Sequence, residues 1–131
     1  MRLAMREAGV VFPVASAGVG PRYIGQGADY RASIIAARNG ASLAGHVVKP
    51  VVDQDFRRFA YVLAMDGNNL ADIEARRPKD GSARAMLLMD CVGGAMGMVI
   101  ADPYRGGLDD FQRVWDEVAR AAPAIVERVA R

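Results

Sequence analysis

The chain has 131 residues, a length that fits one domain. Hydrophobic residues make up 52% and charged residues 24%, which is enough apolar material for a buried core and too much for a disordered chain. The 17 basic and 15 acidic residues leave a net charge of +2, and the arginines are scattered along the chain, so we expect no nucleic-acid partner.

The cysteine count and the hydropathy of the chain limit its possible locations and ligands. Cys91 is the only cysteine, which excludes an intramolecular disulfide and a multi-cysteine metal site. A reducing, cytoplasmic setting is therefore expected. We also expect no metal and no cofactor. No run approaches the roughly 18 apolar residues of a membrane span, and Arg2, Arg6 and Glu7 interrupt any signal-peptide core, so we expect no membrane partner.

The first half of the chain is predicted to form a short helix, a strand and a loop. Arg2 to Ala8 has helical period, and Gly9 is its predicted stop. The apolar, β-rich run from Val10 to Ser16 predicts a buried strand, although Pro13 favours an edge or a bulge. Ala17 to Gly27 contains four glycines and a proline, which predicts a surface loop.

Next come two predicted helices and a strand. Asp29 to Asn39 has helical spacing and is followed by Gly40 as a left-handed stop. Asp53 is the predicted N-cap of a short helix through Phe59. Tyr61 to Met65 is a short apolar run, typical of a parallel strand covered on both faces.

The rest of the chain repeats the alternation. We predict a helix from about Gly67 to Arg76, a strand from Arg84 to Met89, and a long amphipathic helix from Leu108 to Arg131 that kinks near Pro123. Strands that alternate with helices indicate an α/β protein with a parallel sheet.

Several motifs, in order, resemble one known family. They are SAG at Ser16 to Gly18 with Tyr23 to Gly25, LAMDGNNL at Leu63 to Leu70, and DPYRGG at Asp102 to Gly107 with Phe111; the resemblance also takes in Asp29 to Ala32, Leu43 to His46, and Asp55 with Phe56. Together they resemble the low-molecular-weight protein-tyrosine-phosphatase family, in collinear order over essentially the whole chain.

The resemblance implies a fold and a reaction. It implies one domain over residues 1–131 with a three-layer αβα fold of the phosphotyrosine phosphatase I type, whose short parallel sheet here lacks the family's first strand. Members of the family hydrolyse phosphotyrosine through a cysteinyl-phosphate held in a C-x5-R-S loop, and the aspartate of a D-P-Y loop protonates the leaving phenolate. The partner implied is a phosphotyrosine protein or an aryl phosphate.

The nucleophile of that reaction is missing from this sequence. Met1 to Gly9 aligns with the far end of the helix that follows the phosphate loop, and Cys91 is followed six residues on by Gly97, so no C-x5-R occurs. Positioning and electrostatic stabilisation carry most of phosphoryl transfer, and a general acid alone contributes about 10² to 10⁴. We therefore expect little or no phosphatase activity from this chain.

By resemblance, five residues take roles at the site. Asp102 is the general acid, Tyr23 and Tyr104 are aromatic walls around the substrate ring, and Ser16 and His46 support the phosphate loop by hydrogen bonds. Each has a plainer alternative. Asp102 initiates an Asp-Pro turn, the tyrosines are half-buried packing residues, Ser16 is a strand-end hydroxyl and His46 is a turn histidine.

The remaining chemistry-bearing residues favour structural interpretations. Cys91 is interpreted as a small buried or half-buried thiol and not as a nucleophile, because no His or Arg lies near it in sequence. Gly93 to Gly97 lacks the G-x-G-x-x-G order, so it is interpreted as a flexible connector.

The absent strand, which lies between two others in the family, leaves three outcomes open. Val10 to Ser16 closes onto Tyr61 to Met65, or two chains fill each other's gap as a homodimer, or the natural protein starts upstream of Met1; we favour the third, because the first helix has no cap residue. Two functions remain: an enzyme whose nucleophile loop lies outside this sequence, or a catalytically silent phosphatase-like binding or regulatory module. An arsenate reductase is less favoured, because it needs further cysteines.

Overall fold

A computed structural model describes all 131 residues. The elements, in chain order, are α1 (Arg2–Ala8), α2 (Tyr30–Arg38), α3 (Asp53–Arg58), β1 (Tyr61–Ala64), α4 (Gly67–Arg76), β2 (Arg84–Leu87), a 3₁₀ turn (Leu88–Cys91) and α5 (Leu108–Ala130). All five predicted helices and two of the three predicted strands are confirmed, with ends within two residues of the prediction.

The sheet consists of β1 and β2, which run parallel. Tyr61 pairs with Arg84 and Ala64 with Leu87 at the two ends of the ladder. Because successive side chains of a strand point to opposite faces, Val62 and Ala64 pack into one hydrophobic cluster and Leu63 packs into the other. The pair of strands therefore separates two layers of apolar side chains.

Helices cover both faces of the sheet. On one face, Phe56 of α3 and Ile73 of α4 pack against Ala64, Ala83 and Leu87. On the other face, Ala121 and Ile125 of α5 pack with Leu88 and Ile100 in a second cluster. Helices α1 and α2 pack against α5. The arrangement of helices, sheet and helices is the predicted three-layer α/β fold.

The predicted strand from Val10 to Ser16 is wrong. Residues 11–16 make no backbone–backbone hydrogen bond, and the segment does not close onto β1. Its side chains still alternate as in a strand, with Phe12 and Val14 half-buried and Val11 96% exposed. A strand requires a neighbour to complete its ladder, and none lies beside this segment, whose Pro13 also lacks an N–H.

Local signals place the helix ends. Gly9 and Gly40 have φ of 68° and 80° and end α1 and α2 as predicted. The Asp53 cap is wrong, because Asp53 is the first residue of α3 and the carboxylate of Asp55 accepts from the backbone N–H of Val52 at 3.0 Å. The third helical residue thus satisfies the N–H of the N-cap residue, which is one half of a capping box.

The last strand and the last helix also differ slightly from prediction. β2 ends at Leu87, and the next four residues form the 3₁₀ turn. α5 contains Pro123 within its continuous span, and a kink there stays a prediction. None of the helices combines the length and the hydropathy needed to cross a bilayer.

Candidate functional site

The DPYRGG segment forms a tight turn immediately before α5. The Asp102 carboxylate accepts from the backbone N–H of Tyr104 at 3.0 Å, and the N–H of Gly106 donates to the Pro103 carbonyl at 2.9 Å. Asp102 is exposed. It therefore serves as the turn-forming aspartate and also presents its carboxylate to solvent, so the two interpretations of this residue are compatible.

Arg31, in the first turn of α2, makes hydrogen bonds to the DPYRGG turn. Its guanidinium donates to the carbonyls of Tyr104 at 2.9 Å and Gly106 at 2.7 Å. It also makes a bidentate ion pair with Asp29 at 2.8 and 3.1 Å, and its Cζ lies 4.5 Å from the Phe111 ring centroid. In the sequence, Arg31 and Phe111 are identified only as part of the family resemblance. The spacing of Asp29 and Arg31 is the one local pattern that indicates their ion pair.

The two tyrosines assigned as aromatic walls lie next to each other. The ring centroids of Tyr23 and Tyr104 are 5.7 Å apart at an interplanar angle of 49°, and the two residues are 37% and 47% exposed. The Tyr104 side chain raises the pKa of the Tyr23 hydroxyl, burial and the negative charge of Asp102 act in the same direction, and the positive charge of Arg22 opposes them. Tyr23, Tyr104 and Asp102 therefore form one exposed group, here called the acid–tyrosine cluster.

Ser16 and His46 are not joined to the acid–tyrosine cluster by hydrogen bonds. Ser16 is exposed at the end of the unpaired segment, and its hydroxyl makes no hydrogen bond within the chain. His46 is half-buried after Gly45, which has φ of 77°, and the His46 backbone N–H donates to Leu43 at 3.1 Å. This geometry is that of a turn histidine, and a role for either residue at a phosphate loop stays a prediction.

Cys91 is a half-buried thiol at the end of the 3₁₀ turn. Burial raises its pKa, the negative charge of Asp90 acts in the same direction, and the positive charge of Arg128 opposes both. The sequence does not identify Arg128 as a neighbour of Cys91, because Arg128 lies on α5, 37 positions away in the chain. Because burial outweighs that charge, the thiol is poorly ionised, which agrees with a structural interpretation.

The glycine-rich connector forms turns, and the acidic residues form no metal-binding group. Gly94 and Gly97 both have φ of 81°, and Gly97 donates its N–H to the Asp90 carboxylate at 2.8 Å, so the connector consists of ordered turns. No three or more His, Cys, Asp or Glu side chains come together in a group that could hold a metal ion.

Comparisons with known proteins identify the class and then the family. The family model described as "Low molecular weight phosphotyrosine protein phosphatase" matches residues 1–131. The chain is 29% identical to the chicken low molecular weight phosphotyrosine protein phosphatase over 106 residues, 80% of this chain and 66% of that protein. It is 31% identical to the Schizosaccharomyces pombe protein of the same name over 96 residues, 73% of this chain and 61% of that protein.

A solved structure agrees with these relatives. A protein tyrosine phosphatase from Entamoeba histolytica superposes with a TM-score of 0.89 at 25% identity, covering 98% of this chain and 83% of that one. The α/β fold is thus that of a tyrosine phosphatase. The chain belongs to the low molecular weight phosphotyrosine protein phosphatase family, as the motifs predicted, and spans just under two thirds of the length of the curated relatives above.

Proposed function

We propose that the acid–tyrosine cluster is the leaving-group side of a phosphotyrosine phosphatase site. In this proposal Asp102 is the general acid, Tyr23 and Tyr104 flank the substrate ring, and the substrate class is a phosphotyrosine protein or another aryl phosphate. The observation that carries it is the 5.7 Å approach of the two tyrosine rings beside the exposed Asp102. Rings at this spacing contact each other, so an aryl group would stack on their exposed faces, and a carboxyl group beside them suits its leaving oxygen.

We further propose that this chain alone turns over little or no aryl phosphate. It contains no C-x5-R, and its one thiol is half-buried with a raised pKa. Without a thiolate and a ring of main-chain donors, the phosphoryl group has neither an acceptor nor stabilisation of its charge. The single free thiol supports a reducing, cytoplasmic setting as part of the same proposal.

Hydrolysis of p-nitrophenyl phosphate tests the inactivity, and any turnover also tests the acid role of Asp102. We expect no turnover above the buffer rate for the full chain, and no binding of vanadate or tungstate by isothermal titration calorimetry. Turnover that Asp102→Ala abolishes, while the control Asp109→Ala on the exposed start of α5 does not, would refute the inactivity and support the acid role. Turnover unaffected by Asp102→Ala would refute the acid role.

A catalytically silent binding or regulatory module is the second candidate. It is favoured by the intact acid–tyrosine cluster in a chain whose own residues form no phosphate cradle. A fluorescent peptide that contains tyrosine or phosphotyrosine should then bind without being hydrolysed. Binding should weaken in Tyr23→Ala and persist in the control Tyr30→Ala, because Tyr30 is 73% exposed and lies outside the cluster.

We also propose that two copies of the chain pair through the outer edge of β1. The N–H of Arg84 donates to the Ala60 carbonyl at 2.8 Å, so with the observed register the peptide groups of Tyr61 and Leu63 point away from β2. β1 contains no charged residue and no proline to discourage pairing. Sedimentation velocity over a dilution series should show a dimer, and a monomer at every concentration would refute the pairing.

A further inference from the structure

The guanidinium of Arg31 makes more directed contacts than any other side chain near the acid–tyrosine cluster. It reaches two carbonyls of the DPYRGG turn, one carboxylate of its own helix cap and the face of one α5 ring. Only 18% of the Arg31 side chain is exposed. A guanidinium has five N–H donors in a fixed plane, so a shielded guanidinium with several partners fixes their relative orientation. A single surface ion pair does not.

The two carbonyls determine the shape of the turn. Tyr104 and Gly106 flank Arg105, and both direct their carbonyl oxygens to the same guanidinium, at 2.9 and 2.7 Å. The guanidinium therefore fixes the direction of two carbonyl groups of the turn. The Tyr104 ring centroid lies 5.7 Å from the Arg31 Cζ, so the cation also borders the ring that pairs with Tyr23.

Asp29 and Phe111 hold the guanidinium in place. Asp29 accepts from Arg31 with both carboxylate oxygens while it also caps α2 by accepting the backbone N–H of Arg31 at 2.9 Å. Phe111 lies on the first turns of α5 and is 8% exposed. The turn, α2 and α5 therefore share one anchoring group.

We propose that Arg31 is a positioning residue for the acid–tyrosine cluster. It holds the turn from Asp102 to Gly106 in the conformation that places the Asp102 carboxylate and the Tyr104 ring beside Tyr23, without any ligand bound. This inference rests on the proposed function, because the cluster is proposed there as part of a phosphatase site. Its test measures the stability of the turn and requires no phosphatase activity. Failure of the peptide-binding or turnover experiments would therefore leave it standing.

The experiment uses the full chain with Arg31→Lys, which keeps the charge and loses the fork, and with Arg57→Ala as a matched control. Arg57 makes a comparable bidentate ion pair, with Asp80 at 2.9 and 3.1 Å, away from the cluster. Hydrogen exchange by mass spectrometry follows the peptide that covers 102–107. NMR of ¹³Cζ-labelled tyrosines, assigned with Tyr23→Phe and Tyr104→Phe, follows the Tyr23 pKa.

We expect exchange in 102–107 to be about tenfold faster in Arg31→Lys, because the turn loses the directed hydrogen bonds to the carbonyls of Tyr104 and Gly106. The Tyr23 pKa should fall toward the ordinary tyrosine value of 10.0 as the Tyr104 side chain moves away from it. Arg57→Ala should change neither quantity.

Unchanged exchange and an unchanged Tyr23 pKa in Arg31→Lys would overturn the proposal. A rise in exchange that is equal in 102–107, α2 and α5 would also overturn it, because it would show a general loss of stability. If Arg31→Lys does not fold, Asp29→Asn releases the guanidinium from its carboxylate and is subject to the same two outcomes.

Discussion

Asp102 and Tyr104 are joined by a hydrogen bond of 3.0 Å, from the backbone N–H of the tyrosine to the carboxylate. The same side chain that we propose as the acid thus closes the turn that carries its aromatic neighbour. In chemistry that requires a protonated Asp102, this bond would have to accommodate a neutral carboxyl group, which accepts less strongly than a carboxylate.

The Asp102 turn predicts different effects for two substitutions. Asp102→Asn keeps an oxygen acceptor for the Tyr104 N–H and should leave the free energy of unfolding nearly unchanged. Asp102→Ala removes the acceptor and should destabilise the chain by less than about 1 kcal/mol, since the group is exposed. Urea unfolding measures both variants, and equal losses would show that the hydrogen bond is not the cause.

Gly81 should not tolerate a side chain. A Cβ at this position would lie 2.9 Å from the Cβ of Phe56, which is fully buried, and 3.2 Å from the Pro78 carbonyl. Gly81→Ala should therefore destabilise the chain by about 1–3 kcal/mol in urea unfolding. The matched control is Gly93→Ala, where no atom lies within 4 Å of the new Cβ and the change should be near zero. A Gly81→Ala variant as stable as the control would contradict this packing.

Asp29 should contribute to the acid sensitivity of the fold. Hydrogen bonds from the Arg31 side chain hold its pKa below the ordinary value of 3.8, despite partial desolvation. A depressed carboxyl pKa stabilises the folded state above pH 3.8, and that stabilisation is lost as the pH falls from there through the lower folded-state pKa. Unfolding free energies measured between about pH 7 and pH 2 should consequently depend less on pH in Asp29→Asn.

Asp80 provides the comparison for that measurement. Its pKa is also lowered, by hydrogen bonds from Arg57, but its side chain is 69% exposed against 27% for Asp29. Solvent screening weakens an exposed pair, so Asp80→Asn should alter the pH profile less than Asp29→Asn. The reverse order would show that the Arg31 ion pair is not the stronger contributor.

Cys91 should react slowly with thiol reagents. Because burial raises its pKa, a smaller fraction is thiolate at pH 7 than in a free thiol, and the thiolate is the reactive form. The rate with 5,5′-dithiobis(2-nitrobenzoate) should be below that of glutathione in the folded chain and should rise in urea. A folded-state rate above that of glutathione would mean that Arg128 activates the thiol.

Local signals in the sequence predicted most of the helices and the sheet, since helical period, caps and apolar runs act over a few residues. The bounds of α4, Gly67–Arg76, are those predicted. Val10 to Ser16 has equally suitable composition for a strand, yet pairing depends on a neighbour elsewhere in space.

The candidate site was also predicted only in part. The motifs named Tyr23, Asp102 and Tyr104, which the fold brings together. The link from Arg31 to Tyr104 and Gly106 spans 73 and 75 positions. No local pattern encodes contacts at such separation, and the same reason hid the effect of Arg128 on Cys91.

The stretch from Val10 to Ser16 resembles an edge strand in the alternating exposure of its side chains, but residues 11–16 make no backbone–backbone hydrogen bonds. Its ends are fixed by Val10 donating to Met5 at 3.1 Å and Gly18 donating to Lys49 at 2.8 Å, and between them the Val14 carbonyl accepts only from the Arg2 side chain. An incoming extended chain laid along it would gain main-chain hydrogen bonds without displacing any existing backbone pair. Association at this edge would therefore require no prior breakage of a backbone hydrogen bond of residues 11–16.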